Sequence, residues 1–126
     1  LYNRTASKAI AVVEQLGDSR ITARELDDLE QGYDLVINGT SAGLSGKVPD
    51  LPENILGKHS HCYDMVYGSG TTTFNEWCLS TSKCEVADGL GMLVEQAALS
   101  FKLWFAEEVQ TRELIVSLRE TTRPMS

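Results

Sequence analysis

No stretch of the chain approaches the roughly 18 consecutive apolar residues that a membrane-spanning helix needs, and no charged-then-apolar leader is visible at its front. Positive charge is scarce as well: 11 Lys and Arg against 18 Asp and Glu leave a formal net charge of −7 over 126 residues. That balance argues against nucleic acid or an anionic membrane as partner, since either requires a basic patch large enough to displace counterions. Cysteine is limited to Cys62, Cys78 and Cys84, an odd count at spacings that match no zinc pattern, so the three read as reduced core thiols of a cytoplasmic protein. The segment HSHC sets His59 and His61 on one face of a strand and Cys62 on the other. With no HxxxH or CxxC to supplement it, no metal site is expected. Internal repeats, low-complexity tracts and clear linkers are absent too.

What the chain does contain is ordinary for a globular domain: 42% hydrophobic and 23% charged residues, in a length able to bury a real core. Short apolar strands alternate with helical patterns. Ala9, Val12, Val13 and Leu16 fall at helical spacing between Thr5, placed as N-cap, and Gly17, placed as the stop. A short RIT and a polar helical turn over Arg24 to Leu29 lead to YDLVING, an apolar run that suits a strand buried on both faces. After the loop SAGLSGKVPDLPEN, HCYDMVYG reads as a second buried strand, TTTFNEWCLS as a helix and CEVADG as the end of a third strand. The longest helix spans Gly89 to Phe105, and a final helix, Thr111 to Glu120, trails into TTRPMS. This alternation implies parallel βαβ units with right-handed crossovers, divided into a domain over residues 1–106 and a carboxyl-terminal helix and tail over 107–126.

In such sheets function gathers at the carboxyl ends of the strands, which directs the search to NRT, NGTSAG, YG and DG. In a dinucleotide-binding fold the residue ending the second strand meets the adenosine ribose, and an acid there grips the free 2′-hydroxyl of NAD. Here Asn3 holds that place without charge. Arg4 adds a planar fork of donors, Lys8 lies about one turn into the helix, and Thr5 offers a hydroxyl at a helix N-terminus that favours anions. Together they describe a pocket for the 2′-phosphate of NADP; an N-capped surface helix with two incidental cations fits the same six residues. The glycine-rich pyrophosphate loop should stand about 20 residues before the ribose contact, yet only Leu1 and Tyr2 precede Asn3, and G-x-G-x-x-G occurs nowhere. The expectation is an α/β, three-layer, Rossmann-like sheet lacking its first strand, that loop and its first helix. Unpaired strand edges would then favour self-association.

YDLVINGTSAGLSGKVPDLP, CYDMVYGSGTTTFNEWC and ADGLGMLVEQAALSFKLW, together with NRTASK, resemble the carboxyl-terminal, NADP-binding half of the shikimate dehydrogenase family, in order and spacing, from the first residue to about Trp104. The resemblance implies NADPH-dependent reduction of 3-dehydroshikimate to shikimate, on the route to the aromatic amino acids. It also implies that the family's amino-terminal substrate domain, with its catalytic Lys and Asp and the serines that hold the substrate carboxylate, is missing. By the same resemblance Asn3, Arg4, Thr5 and Lys8 match the 2′-phosphate motif, with Lys8 where relatives often carry Arg. Thr40 and Ser41 match the turn beneath the nicotinamide-side ribose, Met65 packs near the nicotinamide, and Gly89 offers a backbone contact to the cofactor. Tyr67 and Gln96 match substrate contacts. The sequence departs from the family at TTTF, where relatives commonly read T-P-F or T-P-L, so Thr73 loosens the start of a helix.

Several of these residues can be read without the family. On the long helix Leu90, Leu93, Val94, Ala97, Phe101 and Trp104 form a stripe that would face the sheet, and Met92, Leu99 and Leu103 form a second stripe that wants another partner. Gln96 lies in the second stripe, as a ligand-binding amide or a hydrogen-bonded structural one. Tyr63, Met65 and Tyr67 share a strand face, with Tyr63 deepest and read as core. Asp64, with no acid or His near it in sequence, reads as structural rather than catalytic, and Asp88 as the N-cap of the long helix. No Ser-His or Cys-His pair emerges, which hydride transfer does not require, because the cofactor carries the reducing equivalent. Two classes stay open: an inactive cofactor half of an NADP-dependent shikimate or quinate/shikimate dehydrogenase, or a stand-alone nucleotide-binding module. The doubly apolar helix favours the first.

Overall fold

The computed structural model describes residues 1–121; the tail after Thr121 lies outside the described residues. Helix α1 (Ala6–Leu16) begins the chain and stops where Gly17 takes a left-handed φ of 62° and donates its N–H to Val13 O, a conformation that costs glycine little. Strand β1 (Tyr33–Asn38) and strand β2 (Leu56–Asp64) follow, then helix α2 (Thr73–Thr81), strand β3 (Glu85–Asp88), helix α3 (Leu90–Phe105) and helix α4 (Thr111–Thr121). The polar turn after Arg24 is a single 3-10 turn, Leu26–Asp28.

The three strands form a parallel sheet in the order β1-β2-β3, and a separate parallel bridge joins Tyr2 to Arg24. Arg24 N–H donates to Leu1 O, and the amino group of Leu1 donates to Thr22 O at 2.7 Å. The RIT segment is therefore the partner of the first two residues, a pairing that sequence spacing alone leaves open. Among the described residues, no strand pairs with the outer edge of β1.

Register between β1 and β2 slips after Tyr33: Tyr33 faces Leu56 while Leu35 faces His61. Buried Ser60 repairs the break, its hydroxyl accepting from Gly57 N and donating to Tyr33 O. A hydroxyl here satisfies backbone groups that the interrupted ladder leaves unpaired.

One face of the sheet is packed. Ile55, Leu56, Cys62, Phe74 and Cys78 form the buried core, with Leu29, Tyr33, Val36, Leu51, Trp77, Cys84 and Val86 against it; Phe74 and Cys78 are both 0% exposed. Helix α2 supplies Phe74 and Cys78 because its N-cap, Thr72 Oγ1, accepts from Asn75 N and so fixes the direction in which the helix leaves the loop. Burial pushes the Cys62 thiol up to about 11 and the Cys78 thiol higher still, as expected of inert core thiols.

The other face corrects an expectation. The apolar run of β1 suggested burial on both sides, yet Leu35 is 55% and Ile37 58% exposed. His59 and His61 are exposed and Tyr63 half-buried on the same side of β2, so Tyr63 is not core. Helix α3 departs in the same way: Leu90 and Val94 are buried and Leu93 half-buried, but Ala97, Phe101 and Trp104 of the stripe meant for the sheet are exposed, as are Met92, Leu99 and Leu103 of the second. In α1 only Ala9 is buried, while Val12 and Leu16 face outward. Apolar periodicity marks which faces want burial, and nothing among the described residues covers these.

Candidate dinucleotide site at the carboxyl edge

Every described strand, and the two-residue bridge segment, ends on an Asn or Asp that folds the chain over the sheet's edge. Asn3 Oδ1 accepts from Thr5 N at 2.9 Å, Asn38 Oδ1 from Thr40 N at 3.1 Å, Asp64 Oδ1 from Val66 N at 3.2 Å and Asp88 Oδ1 from Leu90 N at 3.2 Å. Short Asx side chains do this because they reach a backbone N–H two residues on, ending the ladder in a turn. Thr5 holds the N-cap position of α1, but its hydroxyl makes no capping bond; Asn3 does the local work instead.

Asn38, Asp64 and Asp88 stand in one register row across β1, β2 and β3. Asn38 Nδ2 donates to Asp64 Oδ1 at 3.1 Å, and both residues are buried, which supports the structural reading of Asp64. Its second oxygen, Oδ2, has no partner among the described residues. At the far end of the row both Asp88 oxygens accept the Arg119 guanidinium from α4, at 2.9 and 2.7 Å. Burial pulls the Asp88 carboxyl upward, but this fork and the Leu90 N–H outweigh it and hold the group below the ordinary carboxylate value.

The loops beyond the row interlock. Met65 N–H donates to Asn38 O at 2.9 Å, and Gly89 N–H to Val66 O at 3.2 Å. A Cβ on Gly89 would lie 2.1 Å from Met65 O, and one on Gly39 would lie 3.1 Å from Met65 Sδ. Backbone thus meets backbone at Gly89, leaving no room for any side chain. Thr40 belongs to the same crown, its hydroxyl donating to Asn38 Oδ1 at 2.8 Å and accepting from Ala42 N.

Of the residues singled out in the sequence, Thr40, Ser41, Met65, Tyr67 and Gly89 lie on these loops, Met65 and Tyr67 just past the end of β2 rather than within it. Ser41, Met65 and Tyr67 are exposed. Asn3, Arg4, Thr5 and Lys8 form a separate cluster at the start of α1, with no hydrogen bond to the crown among the described residues. Arg4 and Lys8 have no carboxylate partner there either, so both charges are available to an anion. Gln96 corrects the reading that set it among apolar neighbours: it is exposed, so solvent satisfies its amide and no desolvation cost demands a ligand. Asn38 and Arg119 went unnoticed. An Asn-Gly pair closing an apolar run could have flagged Asn38; nothing local marks Arg119, 31 residues from its partner.

In a dinucleotide site the Asn3–Lys8 cluster would supply the cations and the crown the strand-end loops at the sheet's carboxyl edge. The pyrophosphate-cradling glycine motif that would join them is not in this sequence.

Residues 89–113 match the family model described as the shikimate 5′-dehydrogenase C-terminal domain. The chain is 46% identical over 120 residues to a shikimate dehydrogenase (NADP(+)) from Alkalilimnicola ehrlichii, covering 94% of this chain and 44% of that protein. Among solved structures, an Ael1 enzyme from Pseudomonas putida superposes with a TM-score of 0.86 at 37% identity, over 99% of this chain and 45% of that one. A shikimate 5-dehydrogenase from Thermus thermophilus, solved with NADP(H) and shikimate, superposes with a TM-score of 0.76 at 28% identity, over 94% of this chain and 44% of that one. The chain thus spans less than half the length of the proteins it matches. In sequence and fold it is related to the shikimate dehydrogenases and corresponds to their carboxyl-terminal, Rossmann-like portion.

Proposed function

We propose that the chain is the NADP-binding portion of an NADP-dependent shikimate dehydrogenase, which interconverts shikimate and 3-dehydroshikimate in aromatic amino acid biosynthesis in the cytoplasm. The observation that carries this reading is the interlocked carboxyl edge, where Asn38, Asp64 and Asp88 stand in one row and Gly89 presses its bare backbone against Met65. In α/β sheets this edge is where ligands bind. When bound, NADP supplies the hydride chemistry.

The chain's own residues bind and orient. Arg4 grips the 2′-phosphate through its planar fork and Lys8 adds a point charge, with Asn3 and Thr5 shaping the turn. Thr40 and Ser41 form the floor under the nicotinamide-side ribose, Met65 packs near the ring, and Gly89 makes a backbone contact to the cofactor. Tyr67 and Gln96 face the substrate, shikimate or 3-dehydroshikimate. The proton donor belongs to the amino-terminal substrate domain, which would also cover the exposed stripe of α3. Residues 1–106 carry the dinucleotide portion, and those from 107 onward an appended helix and tail.

A stand-alone nucleotide-binding module is disfavoured by the exposed apolar side chains of α3, with Trp104 76% and Leu103 84% exposed, since a self-sufficient domain presents charge on its outer face. Titrating this chain with NADP+ and NAD+ while assaying shikimate oxidation tests the proposal. Negligible turnover is expected, with at most weak binding that prefers NADP+. Robust oxidation by the chain alone, or a preference for NAD+, would refute it.

A further inference from the structure

Helix α4 buries no residue completely; Ile115 and Leu118 are half-buried, and it packs against α3. It is tied to the end of β3 by Arg119, whose Nη1 and Nη2 donate in parallel to the two oxygens of Asp88. Asp88 is at once the last residue of β3 and the acceptor for Leu90 N–H at the start of α3. Between Asp88 and Leu90 stands Gly89, tied to Val66 O and flush against Met65 O. The orientation of one carboxylate therefore sets both the turn at Gly89 and the first turn of α3.

We propose that Arg119 is a positioning residue: acting through Asp88, it fixes the backbone that Gly89 offers to the dinucleotide and the heading of the helix that carries Gln96. The inference rests on the dinucleotide reading above and adds to it a residue that touches neither ligand. A bidentate guanidinium–carboxylate pair suits the task because two parallel bonds fix the carboxylate's rotation as well as its place. A lysine would supply the charge without the fork. The register partner of Asp88 on β2 is Asp64, which is bound to Asn38 Nδ2 and Val66 N.

The test uses the 126-residue chain with R119Q and R119K, followed by amide NMR and hydrogen exchange, with the Cys62 and Phe74 signals reporting that the core stays folded. In R119Q the Leu90 amide should exchange roughly tenfold faster or more, as expected when a charge-assisted bond that orients its acceptor is lost. The Gly89 and Met65 amides should shift, and Asp88 should titrate at higher pH than in the parent chain. R119K should restore the Asp88 titration in part and the Leu90 protection little. Unchanged Leu90 exchange with unmoved Gly89 and Met65 signals in folded R119Q would overturn the inference, whatever happens to α4. The dinucleotide reading fails elsewhere, when NAD+ binds in preference to NADP+, and that result leaves the Leu90 and Gly89 readout standing.

Discussion

The two faces of the β1-β2-β3 sheet are built from interleaved residues of the same strands, yet one is closed and the other bare. On the closed side Val36, Cys62 and Val86 pack with Phe74 and Cys78 of α2. On the bare side Leu35 and Ile37 are more than half exposed beside His61. Side chains that alternate along a strand cannot both be read from one neighbour: α2 follows β2 closely in the chain and packs on one face only. The difference shows that an apolar run records two demands for burial, while the local sequence supplies an answer to one. In the proposed function the second answer comes from elsewhere in a larger enzyme.

The sharpest way to break the comparison is Phe74→Ala. Removing a fully buried ring should cost about 3–5 kcal/mol, enough to abolish the cooperative transition seen by chemical denaturation; a loss under about 1 kcal/mol would mean that the closed face is not the core. Gly89→Ala probes the edge where the strand-end loops interlock. With a Cβ directed onto Met65 O, it should cost about 1–3 kcal/mol or more and move the Met65 amide, whereas a neutral result would show that the two backbones are not in contact.

Acid should act on the same edge. The Asp88 carboxyl titrates below its ordinary value in the folded chain, so its contribution to stability is present above the unfolded pKa and is lost as pH falls through the folded one. Denaturation followed at descending pH should show a smaller acid-induced loss in R119Q, whose Asp88 carboxyl titrates closer to its unfolded value. Thr72→Ala removes the cap that aims α2 at the closed face and should cost about 1 kcal/mol. The smallest effect belongs to the bare face: Ile37→Thr keeps a β-branched residue on an exposed position and should change stability by no more than about 0.5 kcal/mol. The same substitution should weaken any self-association seen by size-exclusion chromatography across a dilution series; a stability loss like that of Phe74→Ala would show the face is covered.

The sequence foretold the elements well because the cues are local. Gly17 ends α1, the apolar runs before Asn38 and Asp64 mark strands, and the periodicity from Leu90 marks the longest helix. It also located the loops of the candidate site, since turn residues after apolar runs mark carboxyl ends. The pairing of Tyr2 with Arg24, the row linking Asn38 to Asp64 to Asp88, and the Arg119 fork were not legible. Each joins residues more than 20 positions apart, and no local preference encodes which distant partner a polar side chain finds. Gln96 shows the opposite error: its apolar surroundings were legible on the helix, but burial of that face depends on an element that must arrive from outside the helix.

The most direct measurement joins an amino-terminal portion of the Alkalilimnicola ehrlichii relative to Leu1 and assays the chimera for shikimate oxidation with NADP+ and with NAD+. The account predicts NADP+-dependent turnover absent from either part alone, with R4A and K8A together raising KM for NADP+ while leaving the weaker reaction with NAD+ unchanged. A folded chimera that is inert, or one indifferent to Arg4 and Lys8, would contradict it.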